Sequence, residues 1–368
     1  LTQRHAHVSF EESRQRVVNS AVHGPDGHFR LFPYSGTIEF VATSADPELP
    51  SPNMAGGERE HFIKRHIELA KAAGSEIDGV DFDNIVLSAG RTRENFRREH
   101  FRFVDHPLIY DTVSGKVCIQ TGISFYEFVK EIADEMHAQG KLCTGNLADG
   151  SHAQIIYGHL LDKHGGEVMF HTPTRDLRAG RTLAYQKPVS DIIMPGAVSA
   201  GQQETVMHRW LAFGAFPAIS ELVFSGNSDF EAARPLYRRF MPEMQRIAYA
   251  GWEPITHARV AGEGLFVERF GNWADGDLHF TVHNDTDEPQ HGRLAIDSKH
   301  LGIDGTTAWA ELLSEEILDA AGELAVELLP HHTKVFHIFA PDRGTLPWWQ
   351  GSARLLVKGG GKVLQGDS

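Results

Sequence analysis

The features that usually betray a protein's class are scarce in this sequence. Its 368 residues hold two cysteines, Cys118 and Cys143, too few for a disulfide framework and without the spacing of a zinc site. Each reads as a small buried hydrophobe. No apolar run approaches the roughly 18 to 20 residues that a membrane-spanning helix needs. Positive charge is in deficit: 35 Lys and Arg stand against 49 acids, a net charge of −14. That balance repels phosphate backbones and acidic lipid surfaces, so neither nucleic acid nor membrane is expected as a partner.

Several nucleotide and nucleophile motifs are also missing. There is no Walker loop, no Gly-x-Gly-x-x-Gly turn and no Gly-x-Ser-x-Gly elbow, and Gly359-Gly360-Gly361-Lys362 belongs to a Gly-rich tail. The 22 histidines include no His-Glu-x-x-His. His5 with His7, or His331 with His332, are places for adventitious metal, and neither a metal centre nor a cofactor is expected. The first residues, Leu1-Thr2-Gln3-Arg4, resemble neither a signal peptide nor an initiator, so the numbering is expected to start after processing or truncation.

What is present is ordinary for a globular chain, with 41% hydrophobic and 23% charged residues. The length allows one large domain and a smaller one, each with its own core. Ser9 with Glu11 and Glu12 opens a helix that runs to about Val22. Thr37 to Thr43 reads as a strand leading to Asp46, and residues 57–74 as a helix closed by Gly74. The next strand is Gly79-Val80-Asp81-Phe82-Asp83-Asn84-Ile85-Val86. A long loop is expected over residues 87–121. Then come a helix at Ile123 to Gln139, a strand at Lys141 to Asn146, a helix at Ala153 to Lys163 and a strand at Glu167 to His171. Arg175 to Gln186 is a helix, Val189 to Met194 a strand, Glu204 to Phe216 a helix, Ile219 to Phe224 a strand, and Asp229 to Ala250 a last long helix.

Strands alternating with helices, and no hairpin among them, predict an α/β fold with a parallel sheet. Short, evenly spaced strands favour a (β/α)8 TIM-type barrel. Six strands are counted, so the first two barrel strands are expected to be absent from this chain. They would be supplied by a second chain, or the edges covered in a homo-oligomer; otherwise the sheet stays open. From Trp252 the pattern switches to period two. Ile255 to Val260, Leu265 to Phe270, Leu278 to Asn284, Arg293 to Asp297, Ala308 to Leu313, Glu323 to Leu328 and Thr333 to Phe339 read as an antiparallel β-sandwich. The expected domains are 1–251, barrel-like, and 252–368, sandwich.

Chemistry is sought at the strand ends, because active sites of α/β folds sit at the C-terminal mouth. Asp81 and Asp83 are two apart and share a face, opposite Val80 and Phe82. Buried unpaired carboxylates are costly, so Asp83 is expected at the solvent-reached end. Asp46 and Asp149 are the candidate partners, since glycosidic bond cleavage uses two carboxylates across a mouth. Asp81, Asn146, His171 and Glu221 occupy other strand positions from which sugar could be bound; Glu167, at the start of its strand, is discounted. Arg91 and Arg93 begin a loop that carries five arginines between 91 and 102, suited to gripping an anion. Arg–Glu pairing in a solvated loop explains the same letters.

Gly79-Val80-Asp81-Phe82-Asp83-Asn84, followed by the sandwich pattern, resembles (β/α)8-barrel glycoside hydrolases of the alpha-galactosidase and alpha-amylase groupings. That resemblance implies a hydrolase acting on carbohydrate, with Asp83 at the end of the fourth barrel strand as nucleophile. The family's general acid on the fifth or sixth strand has no clear match, those strands ending in Asn146 and His171. A non-catalytic carbohydrate-binding subunit and a metal-assisted lyase are the competing expectations.

Overall fold

The computed structural model describes residues 8–35, 38–83, 85, 94–147, 155–167, 173–193, 200–219, 233–318 and 322–341. Asp149, Arg91, Arg93, His171 and Glu221 lie outside them. The chain divides into two compact units, Leu1–Met169 with Ala179–Ile192, and Phe170–Arg178 with Ile193–Ser368.

In the first unit, α1 (Phe10–Ser20) begins where the Ser9 hydroxyl accepts a 3.1 Å hydrogen bond from the Glu12 amide. Strand β1 (Leu31–Ser35) then pairs antiparallel with β2 (Ile38–Val41). The sequence pattern placed this second stretch in a parallel series without hairpins. The link between the two is too short for the crossover of a dozen or so residues that parallel neighbours require, so the chain turns back on itself. Asn53 caps α2 (Met54–Glu58) by accepting from the Gly56 amide at 2.8 Å. A π-helical turn (Arg59–Lys64) and α3 (Arg65–Ala72) continue it.

Strand β3 (Gly79–Phe82) follows. Among its described residues the expected long loop contains three short strands instead, β4 (Glu94–Asn95), β5 (Ile109–Tyr110) and β6 (Val117–Gln120), forming an antiparallel sheet in the order β4-β6-β5. Two of them are two residues long, below the reach of any periodicity argument. Helix α4 (Thr121–Ala138), β7 (Leu142–Asn146), β8 (Lys163–Glu167), α5 (Thr174–Ala184), whose residues up to Arg178 belong to the second unit, and β9 (Val189–Ile193) follow.

The parallel strands of this unit stand in the order β9-β8-β7-β3. The α/β character expected from the sequence is therefore present. Val80 and Phe82 face helices and pack with Ile85, Phe128, Ile132, Met136, Cys143 and Leu161. Cys118 and Cys143 are both free and buried.

The strand at 163–167 lies four residues earlier than its predicted place, Glu167 to His171. Lys-His-Gly-Gly-Glu reads as a turn by composition, since glycine is depleted from strands. Its pairing on both edges overrides that preference: Asn146 is in register with Gly165, and Glu167 with Ile192. A side chain at Gly165 would bring its Cβ to 2.7 Å from the Gly145 carbonyl oxygen, so glycine permits the close approach.

Among the described residues the second unit contains α6 (Ala200–Phe213), β10 (Ala215–Ile219), α7 (Arg234–Ala250) and nine antiparallel strands. The latter are β11 (Trp252–Glu253), β12 (Ala258–Ala261), β13 (Leu265–Phe270), β14 (Leu278–Asn284), β15 (Gln290–Ile296), β16 (Ala308–Glu311), β17 (Glu316–Leu318), β18 (Glu323–Leu328) and β19 (Thr333–Phe339). They form a six-stranded sheet, β11-β13-β14-β19-β16-β17, and a three-stranded one, β12-β15-β18. Leu278, Phe280, Val282, Leu294, Trp309, Val326 and Phe336 make one apolar core shared by both sheets. The opposite side of β14 and β19 meets α6 and α7. Among the described residues no helix is long and apolar enough to cross a membrane.

Candidate active site

Register places Asp81 beside Thr144, and Thr144 beside Lys163, on three adjacent strands. In a parallel sheet such neighbours project to one side, and their side chains meet. The Thr144 hydroxyl donates to Asp81 Oδ1, and Lys163 Nζ stands 3.6 Å from the same oxygen. One step nearer the C-terminal end, Asn146 Nδ2 donates to Asp83 Oδ1 at 2.9 Å. Asp81 and Asp83 are exposed, whereas Asn146 is buried to 1%. The amide is thus a fixed support and the carboxylate its solvent-facing partner.

Alternation along β3 explains why both acids come to the open side. Phe82 between them is drawn into the helix-covered core, which turns its neighbours away from it. Two glycines keep the strands close: a Cβ at Gly145 would lie 2.4 Å from Ile85 Cδ1, and Gly165 would meet backbone. The resulting row, Asp83, Asn146 and Gly165, has no side chain at its third position.

Asp46 occupies a different environment. It is fully buried, with Oδ2 accepting from the Ser124 hydroxyl at 2.8 Å and Oδ1 from the Glu48 amide at 3.1 Å. His106 Nε2 lies 3.1 Å from the same Ser124 oxygen. Donor atoms of Asp46, His106 and Glu127 come within 4.8 Å of one another. Glu48 is exposed, yet loss of hydration and a hydrogen bond shared with Asp46 push its carboxyl up to about 7. Burial also raises Glu127.

The Arg-rich loop divides. Arg97 is spent on structure, donating from Nη1 to the Val18 carbonyl at 2.6 Å. Arg102 lies over the Phe103 ring at 4.6 Å. In the Tyr185-Gln186-Lys187-Pro188 stretch, Lys187 Nζ donates to the Gly158 and Leu161 carbonyls at 2.8 and 2.6 Å, and these residues line a shallow groove of about 770 Å³ with Ile155 and His159.

Sequence reasoning missed Glu167. Discounted as the first residue of a strand, it is the last residue of β8, at the end where Asn146 closes β7 and Asp83 follows β3. Its signal was hidden by the two glycines before it, which read as the end of a turn.

Neither a family model nor a curated protein matches the sequence. Solved structures of glycosidases do resemble it. A GH27 β-L-arabinopyranosidase from Geobacillus stearothermophilus is 15% identical, with a TM-score of 0.46, over 79% of this chain and 63% of that one. An alpha-amylase from H. orenii is 10% identical, with a TM-score of 0.47, over 88% and 74% of the two chains. A debranching enzyme from Nostoc punctiforme is 13% identical, with a TM-score of 0.42, over 87% and 69%. The chain therefore spans less than two thirds of the arabinopyranosidase.

Proposed function

We propose that this chain is a carbohydrate-active enzyme, a glycoside hydrolase whose chemistry is carried by carboxylates at the C-terminal ends of β3, β7 and β8. The observation that supports it is the pair Asp81 and Asp83, set on one exposed side of a parallel sheet and each held by a neighbour from the next strand. Asp83 acts as nucleophile or base. Asn146, donating to its Oδ1, fixes the carboxylate's orientation on the exposed side of the sheet. Asp81, beside Lys163 at 3.6 Å, binds sugar hydroxyls. The protonating group comes from Asp149, after β7, or from Glu167 at the end of β8. Asp46, enclosed by Ser124 and Glu48, holds the neighbouring loop in this reading. Arg91 and Arg93, in the loop after β3, favour an acidic or substituted sugar.

A carboxylate pair about 5 to 5.5 Å apart would give retention through a covalent intermediate, and one about 6.5 to 9.5 Å apart inversion through an activated water. The test is Asp83→Asn assayed on a panel of aryl glycosides. Loss of about 10³-fold or more in kcat/KM, equivalent to about 4 kcal/mol of transition-state stabilisation, is expected with an unchanged melting temperature. Asn retains an oxygen for the Asn146 donor, so folding is spared. Turnover equal to the parent's on every substrate cleaved would remove Asp83 from the mechanism.

A further inference from the structure

The second unit carries a cluster that plays no part in the proposed hydrolysis. His279 of β14 pairs directly with His337 of β19 across an antiparallel register, and their rings lie nearly parallel with centroids 4.6 Å apart. Asp277 precedes His279 by two residues. Donor atoms of the three come within 4.8 Å of one another.

Two features of this cluster are those of a ligand set. His279 is 0% exposed, and neither of its ring nitrogens has a hydrogen-bond partner among the described residues. A buried polar group left this way loses its water without replacement, at a cost of about 1 to 3 kcal/mol. His337, 6% exposed, has Nε2 at 3.3 Å from the Gly276 carbonyl, while Nδ1 has no partner. With Nε2–H donating to that carbonyl, the lone pair of Nδ1 is presented to the cluster. This is the arrangement by which metal-bound imidazoles are oriented.

The third feature is a distance. Asp277 Oδ1 stands 3.5 Å from His279 Nδ1, long for a hydrogen bond. Two ligands bound about 2.0 to 2.2 Å from one tetrahedral ion stand about 3.3 to 3.5 Å apart. The turn before β14 fixes this acid: a Cβ at Gly271, whose φ is +69°, would fall 1.9 Å from the Asp277 carbonyl oxygen, so only glycine lets the chain approach there. Asp277 is 45% exposed and provides the way in from solvent. Arg246 of α7 acts against a cation here, but Glu243 holds it at 3.2 Å and offsets its charge.

We propose that Asp277, His279 and His337 bind one divalent transition-metal ion of the zinc class, with the open side at Asp277. Two imidazoles and one carboxylate select such ions over magnesium or calcium, which prefer all-oxygen sites. The pattern Asp-x-His on one strand with a histidine opposite on another has no compact sequence signature, because half of it comes from a distant strand.

The full chain, stripped with chelator, would be titrated with Co²⁺ and followed by its visible d–d absorption, then back-titrated with Zn²⁺. One Co²⁺ per chain, displaced by Zn²⁺, is expected, with Zn²⁺ raising the melting temperature. Asp277→Asn, at a half-exposed turn and checked by circular dichroism, should weaken binding about 10-fold or more. His337→Gln should abolish the absorption band, and His332→Ala should leave it unchanged. A folded parent chain that takes up no Co²⁺ overturns the proposal. So does a folded Asp277→Asn variant that matches the parent in affinity and melting shift, whatever the fate of the His337 variant.

Discussion

At the scale of the residue, the divided fates of the acids are governed by what each carboxylate touches. Asp83 is exposed and accepts from the buried Asn146 amide, while Asp46 is buried and accepts from Ser124 and the Glu48 amide. The crowding around Asp46 has a consequence for pH. A folded-state carboxyl raised above its ordinary 4.5 to about 7, as at Glu48, favours the protonated native state. Its stabilising contribution is complete below about pH 4.5 and is lost as pH rises through about 7. Glu48→Gln should therefore flatten that part of the melting-temperature profile between pH 4 and 8. Because Glu48 is exposed, the effect is small; parallel profiles for parent and variant would remove it. The sequence revealed that Asp81 and Asp83 share a face, a consequence of strand geometry alone. Which neighbour would hold each acid was not legible, because Thr144, Asn146 and Lys163 come from strands distant in the chain.

At the scale of the element, β8 is the instructive case. Lys163-His164-Gly165-Gly166-Glu167 has the composition of a turn, yet it pairs on both edges and buries His164, whose imidazole is driven down to about 4 by burial. Gly165→Ala tests the account. The new methyl would lie 2.7 Å from a backbone oxygen rather than from a side chain that could move aside, so β7 and β8 must separate. A loss of about 1 to 3 kcal/mol is expected from urea unfolding. In the second unit, by contrast, β13, β14, β18 and β19 begin and end where the alternating pattern placed them. Apolar residues alternate with polar ones along β14, so period two shows in the sequence even though both faces are buried, whereas a strand paired on both edges and rich in glycine carries no such signal.

At the scale of the whole molecule, each unit encloses its own apolar cluster, one around Phe128, Ile132 and Leu161 and the other around Phe280, Trp309 and Phe336. Separate cores favour separate cooperative transitions. Calorimetry should resolve two, with Phe128→Ala lowering one and Phe280→Ala the other, each by about 3 to 5 kcal/mol. A single transition shifted equally by both substitutions would contradict this. The sequence by itself determined the α/β character of the chain before Ala250, the switch to antiparallel strands after it, and the common face of Asp81 and Asp83. These follow from local periodicity and side-chain direction, which every short segment carries within itself. Only the tertiary structure decided that β2 turns back on β1, that Glu167 ends a strand rather than starting one, and that His279, His337 and Asp277 converge. Those outcomes depend on hydrogen-bond partners and close approaches between segments far apart in the chain, and no local stretch encodes its partner.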